Sequence, residues 1–468
     1  MLKNPTMDQV AGTPIFTFDH DTVPSIRTAP PGPIAKGLLA RDEQFVSPSY
    51  TRCYPLVVER GSGAVIEDVD GNLYLDFTAG IAVTATGHCH PEIVAAIKDQ
   101  ADKLLHMSGT DFYYRPQIDL AERLARTAPG PTPKKVFFAN SGAETIEGAL
   151  KLARWHTKRN RVISFFGAFH GRTYGAMSLS GSKLIHRKGF SPLVSDIHHV
   201  NFPRGCPSTC RQPCSTFPAP CHQNFHDCGL IQEIESTILK RVAPPEEVAA
   251  IFVEPIQGEG GYHPLPPGCL PALRALCDQH GIMLVVDEVQ SGMGRTGKLY
   301  AVQHYGVEPD IICAAKGIAS GLPLGAIIAK ADVMDWPSGS HASTFGGNPV
   351  SCRAALATLD LLEREYMANA SERGIELRDG LAKLVEKHPS LTRVRGMGLM
   401  TAVDVINPSD GSPAPQQREK VIDACFEKGL LLLGCGESAI RFCPPLCITS
   451  EQVQTCLRIL DEVVKSMT

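Results

Sequence analysis

Apolar residues follow three successive rhythms along this chain. Near the start they alternate: Ala64-Val65-Ile66-Glu67-Asp68-Val69, then Asp70-Gly71-Asn72, then Leu73-Tyr74-Leu75-Asp76-Phe77. That pattern predicts two short strands joined by an Asp-Gly turn. From about residue 90 to 330, short continuous apolar runs alternate with helical stretches. Lys135-Val136-Phe137-Phe138-Ala139 precedes a glycine turn and a helix over Glu144–His156, and Val248–Val253, Ile282–Val286 and Asp310–Ala314 are further runs. Strands apolar on both faces and separated by helices predict an α/β fold, with a parallel or mixed sheet covered on both sides. After Pro349 the pattern is helical through Leu362 and again around Arg373–Lys387. A short strand-rich stretch and a final helix over Glu451–Val464 complete what reads as a smaller α+β unit. Residues 1 to about 50 carry prolines (Pro30, Pro31, Pro33) without periodicity and read as an irregular arm. The expected division is an arm over 1–50, a first part of the small domain over 51–90, a large domain over 91–348 and the rest of the small domain over 349–468.

Composition narrows the class. The chain has 468 residues, 43% hydrophobic and 20% charged, enough for a substantial core and two or three domains. A formal net charge of −4 without long Lys/Arg runs leaves no footprint for nucleic acid or an anionic membrane surface. No apolar stretch reaches the roughly 20 residues of a membrane span, and Met1–Val10 lacks the features of a signal peptide. A cytoplasmic protein is expected. Of 16 cysteines, five (Cys206, Cys210, Cys214, Cys221, Cys228) sit in one segment with His222 and His226, leaving eleven scattered. Several of those, such as Cys313 and Cys425, fall inside apolar runs, where a thiol acts as a small hydrophobe. The clustered five lack the paired spacing of a structural zinc site. The insert over 204–228 therefore reads as a surface loop of thiols or disulfides with no part in catalysis, a bound metal at the first three cysteines being the alternative.

In α/β sheets ligands bind beyond the carboxyl ends of the strands, so the residues that follow each apolar run are the candidates. Ile282–Val286 runs into Asp287-Glu288-Val289-Gln290. A carboxylate there must be met by a cation or donor, and alone it serves equally well as a structural cap. Asp310–Ala315 runs into Lys316-Gly317. A desolvated lysine amine suits Schiff-base chemistry, although an isolated one can simply snorkel to solvent. Val136–Ala139 runs into Asn140-Ser141-Gly142-Ala143-Glu144, where free amides at a helix start can hold a phosphate. The three together are a far rarer set than any one of them.

This set is similar to that of the class III aminotransferases, which are fold-type-I enzymes dependent on pyridoxal 5'-phosphate. The resemblance runs from about Tyr54 to the C-terminus. It rests on Leu75–Ile81 with Gly87-His88-Cys89-His90-Pro91, on Asn140–Glu144, on Phe169-His170-Gly171-Arg172-Thr173, on Val253–Gly261, on Asp287–Gly292 and on Ala315-Lys316-Gly317. It implies that Lys316 binds the cofactor as a Schiff base and moves the substrate proton, and that Asp287 keeps the pyridine nitrogen protonated. Ser141, Gly142 and Ala143 would hold the phosphate, helped by Thr344 from a partner subunit, so a homodimer or larger homo-oligomer is implied. Phe169 would stack on the ring, with Val289 and Gln290 on its other side. Arg172 would grip a distal carboxylate and Arg441 an α-carboxylate, with Glu259 as the gate that pairs with Arg441 when the substrate has none. The implied reaction moves an amino group from 4-aminobutyrate, a similar ω-amino acid or an ornithine-like donor to 2-oxoglutarate. Arg172–Ser178, Pro244–Ile251, Asp335-Trp336-Pro337 and Gly339–Thr344 resemble an archaeal-type 4-aminobutyrate aminotransferase branch that also holds amino-acid racemases and epimerases. Racemisation is thus the alternative. A binding protein that kept the fold but lost the reaction is a third reading, whose signature would be loss of Lys316 or Asp287.

Overall fold

The computed structural model describes residues 23–204 and 229–467. The cysteine cluster Cys206–Cys228 and its two histidines lie outside the described residues. The largest sheet has seven strands: β1 (Lys134–Ala139), β2 (Arg161–Phe165), β3 (Ile197–Val200), β4 (Val248–Val253), β5 (Met283–Asp287), β6 (Ile311–Ala314) and β7 (Gly325–Lys330). They lie in the order β1-β7-β6-β5-β4-β2-β3. Only β7 runs antiparallel to its neighbours, while the pairs β6-β5, β5-β4, β4-β2 and β2-β3 are parallel. The sheet is mixed and the fold is α/β.

All residues of β4 and β6 are buried, and they serve both faces in alternation. Ile251, Val253, Leu284, Val286, Ile312 and Ala314 enter one apolar cluster; Ala250, Phe252, Val285, Ile311 and Cys313 enter the other. The period of two in a strand buried on both sides therefore reads as an uninterrupted apolar run. The helix Gly142–Thr157 covers the second face with Ile146, Ala149, Leu150, Leu152 and Ala153.

Two four-stranded sheets and a two-stranded one accompany it among the described residues. The predicted hairpin forms, with Val65–Asp68 antiparallel to Leu73–Asp76 in the register Val65↔Leu75, Ile66↔Tyr74. Gly71 takes φ +82° in the turn, a conformation that glycine adopts without a steric penalty. Leu430–Leu431 then adds to the hairpin in parallel, joining chain ends far apart in sequence. The second sheet orders Leu391–Met397, Met400–Val405, Ala439–Phe442 and Leu433–Cys435, packed by the helices Met367–Lys387 and Pro415–Glu427, against which Ser450–Ser466 packs in turn.

Two local readings are corrected. The N-terminal arm is not wholly irregular, because Pro33–Phe45 is a helix of 13 residues. Its N-terminal amides are capped from a distance: Ile34 and Ala35 donate to the two carboxylate oxygens of Asp70 at 2.9 and 3.0 Å, so no local capping residue marks it. The two helices expected after Pro349 are continuous, Pro349–Leu361 passing through a π-helical turn at Leu362–Tyr366 into Met367–Lys387. Among the described residues no helix is long and apolar enough to cross a membrane.

Candidate active site

The parallel strands end on one side of the sheet, and their registers put the ends level. Asp287 at the end of β5 pairs with Cys313 of β6, and Val286 with Val253 of β4. Asp287, Lys316 and Glu254 therefore emerge together. Asp287 is 4% exposed, and both its oxygens are held. Oδ2 lies 2.7 Å from His170 Nδ1, and Oδ1 accepts the Val289 amide at 2.9 Å. Burial opposes charge on the His170 ring, but its hydrogen bond to Asp287 and the charge of that residue raise its pKa. Glu254 lies behind this pair, accepting the amides of Phe169 (3.3 Å) and Gly258 (3.1 Å). Burial, with the Asp287 charge, lifts its carboxyl to about 7 against the pull of His170.

Lys316 follows β6 with φ +47°, a left-handed conformation that costs a non-glycine residue about 1–3 kcal/mol and recurs at functional sites. Burial, then the charge of Arg441, pulls its pKa below the ordinary lysine value, against Asp287, Glu259 and Glu254. A lowered lysine pKa makes a free amine available. The same interactions place the predicted carboxylates and Arg441 in one electrostatic neighbourhood around Lys316.

Ser141 caps the helix Gly142–Thr157, its Oγ accepting the Glu144 amide at 3.2 Å. The amides of Gly142 and Ala143 belong to the first turn, which has no intrahelical acceptors. Gly142 also lies close to Val289: a Cβ there would sit 2.7 Å from Val289 Cγ1. Gln290 accepts the Tyr262 hydroxyl at 2.7 Å. The exposed Arg172 holds its guanidinium 5.8 Å from the Phe169 ring centroid, and Phe169 meets His186 edge-on at 5.2 Å. Arg441, 5% exposed, is set in the strand Ala439–Phe442 opposite Ala402. Its Nη1 donates to Glu259 Oε1 at 2.6 Å.

Thr344 lies on an exposed turn next to Ser343, whose Oγ accepts from Asn140 Nδ2 at 3.0 Å. His170, Glu254, Tyr262 and Lys183 carry no assigned role in the sequence reading. Glu254 obeys the same strand-end rule as Asp287 and could have been found by it. Lys183 Nζ, 3.2 Å from Glu259 Oε2, has no such local signal.

The chain is similar to known proteins along most of its length. The family model "Aminotransferase class-III" matches residues 45–464. The 4-aminobutyrate aminotransferase GabT of Escherichia coli (strain K12) is 38% identical, over 91% of this chain and 97% of that protein. An alanine/serine racemase of Pyrococcus horikoshii is 36% identical, over 94% of this chain and 93% of its own. An amine transaminase from an uncultivated Pseudomonas species, solved in its PLP-bound form, superposes with a TM-score of 0.81 at 31% identity, over 91% and 99% of the two chains. The chain belongs to the class III aminotransferases, and is an enzyme dependent on pyridoxal phosphate.

The residues present fit that cofactor. A buried carboxylate held on both oxygens can face a ring nitrogen, a helix start with open amides and a tight glycine can face a phosphate, and a desolvated amine can meet an aldehyde. His170 Nε2 remains as a buried polar atom without a hydrogen-bond partner.

Proposed function

We propose that this enzyme transfers the amino group of 4-aminobutyrate, or a similar ω-amino acid, to 2-oxoglutarate. The observation that carries the reading is the 2.6 Å pair between Glu259 and the deeply buried Arg441, with Arg172 free of that pair. An arginine already neutralised by its own carboxylate suits an ω-amino donor, which brings no α-carboxylate. Displacing Glu259 frees the same guanidinium for the α-carboxylate of an oxo diacid, by two parallel hydrogen bonds. Arg172 then takes the distal carboxylate of either substrate.

When bound, pyridoxal phosphate supplies the aldehyde that exchanges amino groups and the ring that draws electrons from the substrate carbon. Lys316 Nζ would be the attachment point and, when not engaged there, the base that carries the substrate proton. Asp287, oriented by His170 and the Val289 amide, would keep the ring nitrogen protonated. The Gly142 and Ala143 amides with Ser141 would hold the phosphate, helped by Thr344 of a second copy. Phe169, Val289 and Gln290 would enclose the ring.

A second reading is racemisation, favoured by the 36% identity to the alanine/serine racemase. Both are separated by following the cofactor absorbance of purified enzyme given 4-aminobutyrate or, in turn, an L-amino acid, with no oxo acid. We expect 4-aminobutyrate to convert the cofactor to its aminated form, and 2-oxoglutarate to reverse the change. An unchanged spectrum while the L-amino acid loses optical activity overturns transamination as the function.

A further inference from the structure

Glu259 is shared between two cations. Its Oε1 accepts from Arg441 Nη1 at 2.6 Å, and its Oε2 accepts from Lys183 Nζ at 3.2 Å. The two cations are unequal. Arg441 is almost wholly enclosed, whereas the Lys183 side chain is 42% exposed and leads into the turn Leu184–His186. The Arg441 fork is also only partly engaged, since its Nε is buried and has no hydrogen-bond partner. The Glu259 backbone is fixed, its carbonyl accepting the Gly436 amide at 2.8 Å, so any displacement of the carboxylate is a side-chain movement.

We infer that Lys183 is a specificity residue of this site, a second anchor that retains the Glu259 carboxylate whenever a substrate's α-carboxylate takes Arg441. The inference deepens the ω-donor reading above and rests on it. Freeing Arg441 requires Glu259 to give up its strongest partner in a mostly enclosed place, and a buried carboxylate without a partner is strongly unfavourable. Burial by itself would raise the Glu259 pKa, yet Arg441 and Lys183 together hold it at about 2, so the group stays charged and must be met by a cation in either position. Lys183 is already in contact and needs no rearrangement of the chain. Without it, Glu259 would stay on Arg441, and every substrate that needs Arg441 would compete against that pair. A donor with no α-carboxylate leaves the pair intact and depends much less on Lys183.

The test compares two single-turnover half-reactions of the holoenzyme, 4-aminobutyrate and L-glutamate, in wild type and in Lys183→Met, Lys183→Arg and Lys183→Glu. The expected result is that Lys183→Met lowers kcat/KM for L-glutamate by roughly two- to five-fold more than for 4-aminobutyrate, the range of a partly exposed ion pair, mainly through KM. Lys183→Arg should restore the wild-type ratio, and Lys183→Glu should widen the gap by repelling Glu259 towards Arg441. A general structural fault would depress both half-reactions alike and would not be rescued by arginine. If wild type accepts both substrates and no Lys183 variant changes their ratio, the role of Lys183 is overturned and the proposed reaction stands. If wild type accepts only one of the two, the dual-substrate reading fails, and this inference with it.

Discussion

Glu254 is a carboxyl that should reveal its environment through pH. It is buried beside Asp287, and its pKa rises from the ordinary 4.5 to about 7. Between those values the folded state binds more protons than the unfolded one, so its contribution to stability declines as pH rises from about 4.5 to 7 and stays low above that. Glu254→Gln keeps an oxygen to accept the Phe169 or Gly258 amide but never acquires the charge. We therefore expect the melting temperature of this variant, relative to wild type, to be more favourable at pH 8 than at pH 5, with a free-energy swing of about 2–3 kcal/mol at most. An identical offset at both pH values, by calorimetry, would show that Glu254 does not titrate in this window. At this scale the sequence was legible where one rule applied: a polar residue directly after an apolar run marks a strand end, and Asp287 and Lys316 both obey it. His170 and Lys183 were not legible by that rule. Their partners, Asp287 and Glu259, stand 117 and 76 positions away, and only the folded chain brings them within hydrogen-bonding distance.

Elements were readable from period, and least readable where long-range packing replaces local signals. β4 was predicted at its observed bounds because it is apolar throughout and ends in a charge. The helix Pro33–Phe45 was missed because its cap is Asp70, in the hairpin turn and 35 or more positions along the chain. Nor does the sequence announce the turn at Ala79–Ala82, where four successive residues have φ between +47° and +66° and only Gly80 is a glycine. Packing between the helix Met367–Lys387 and the second small sheet is equally silent in the pattern. Gly374 in that helix approaches the turn at Gly398 so closely that a Cβ would lie 2.2 Å from the Gly398 carbonyl oxygen. Backbone cannot step aside as a side-chain tip can, so Gly374→Ala should destabilise the protein by about 2–3 kcal/mol through overpacking, in spite of alanine's better helix propensity. Thermal denaturation checks this. A variant as stable as wild type would mean that the helix can ride outward from the turn without loss.

For the whole molecule, one stretch of the surface is unusually apolar. Leu104, Leu105, Met107, Phe112 and Phe345 are exposed, and Tyr113 is 95% so. The His106 ring lies 5.1 Å from Phe345, and the Tyr114 hydroxyl donates to the Gly347 carbonyl at 2.7 Å. The segment around residues 104–114 and the turn carrying Thr344 therefore form one apolar surface of a kind monomers seldom leave open. The expectation of a dimer rests only on the resemblance of the Thr344 motif, because no periodicity marks a surface that a second chain would cover. The two observations meet in one prediction. Phe345→Asp places a charge in the middle of that surface, where burying it without a partner is unfavourable. Sedimentation of this variant should shift from dimer towards monomer, and its affinity for pyridoxal phosphate should fall in parallel, because Thr344 would no longer reach the neighbouring site. Loss of the dimer with undiminished cofactor affinity would remove Thr344 from the phosphate contact. A variant that remains a dimer and binds cofactor fully would place the interface on another face.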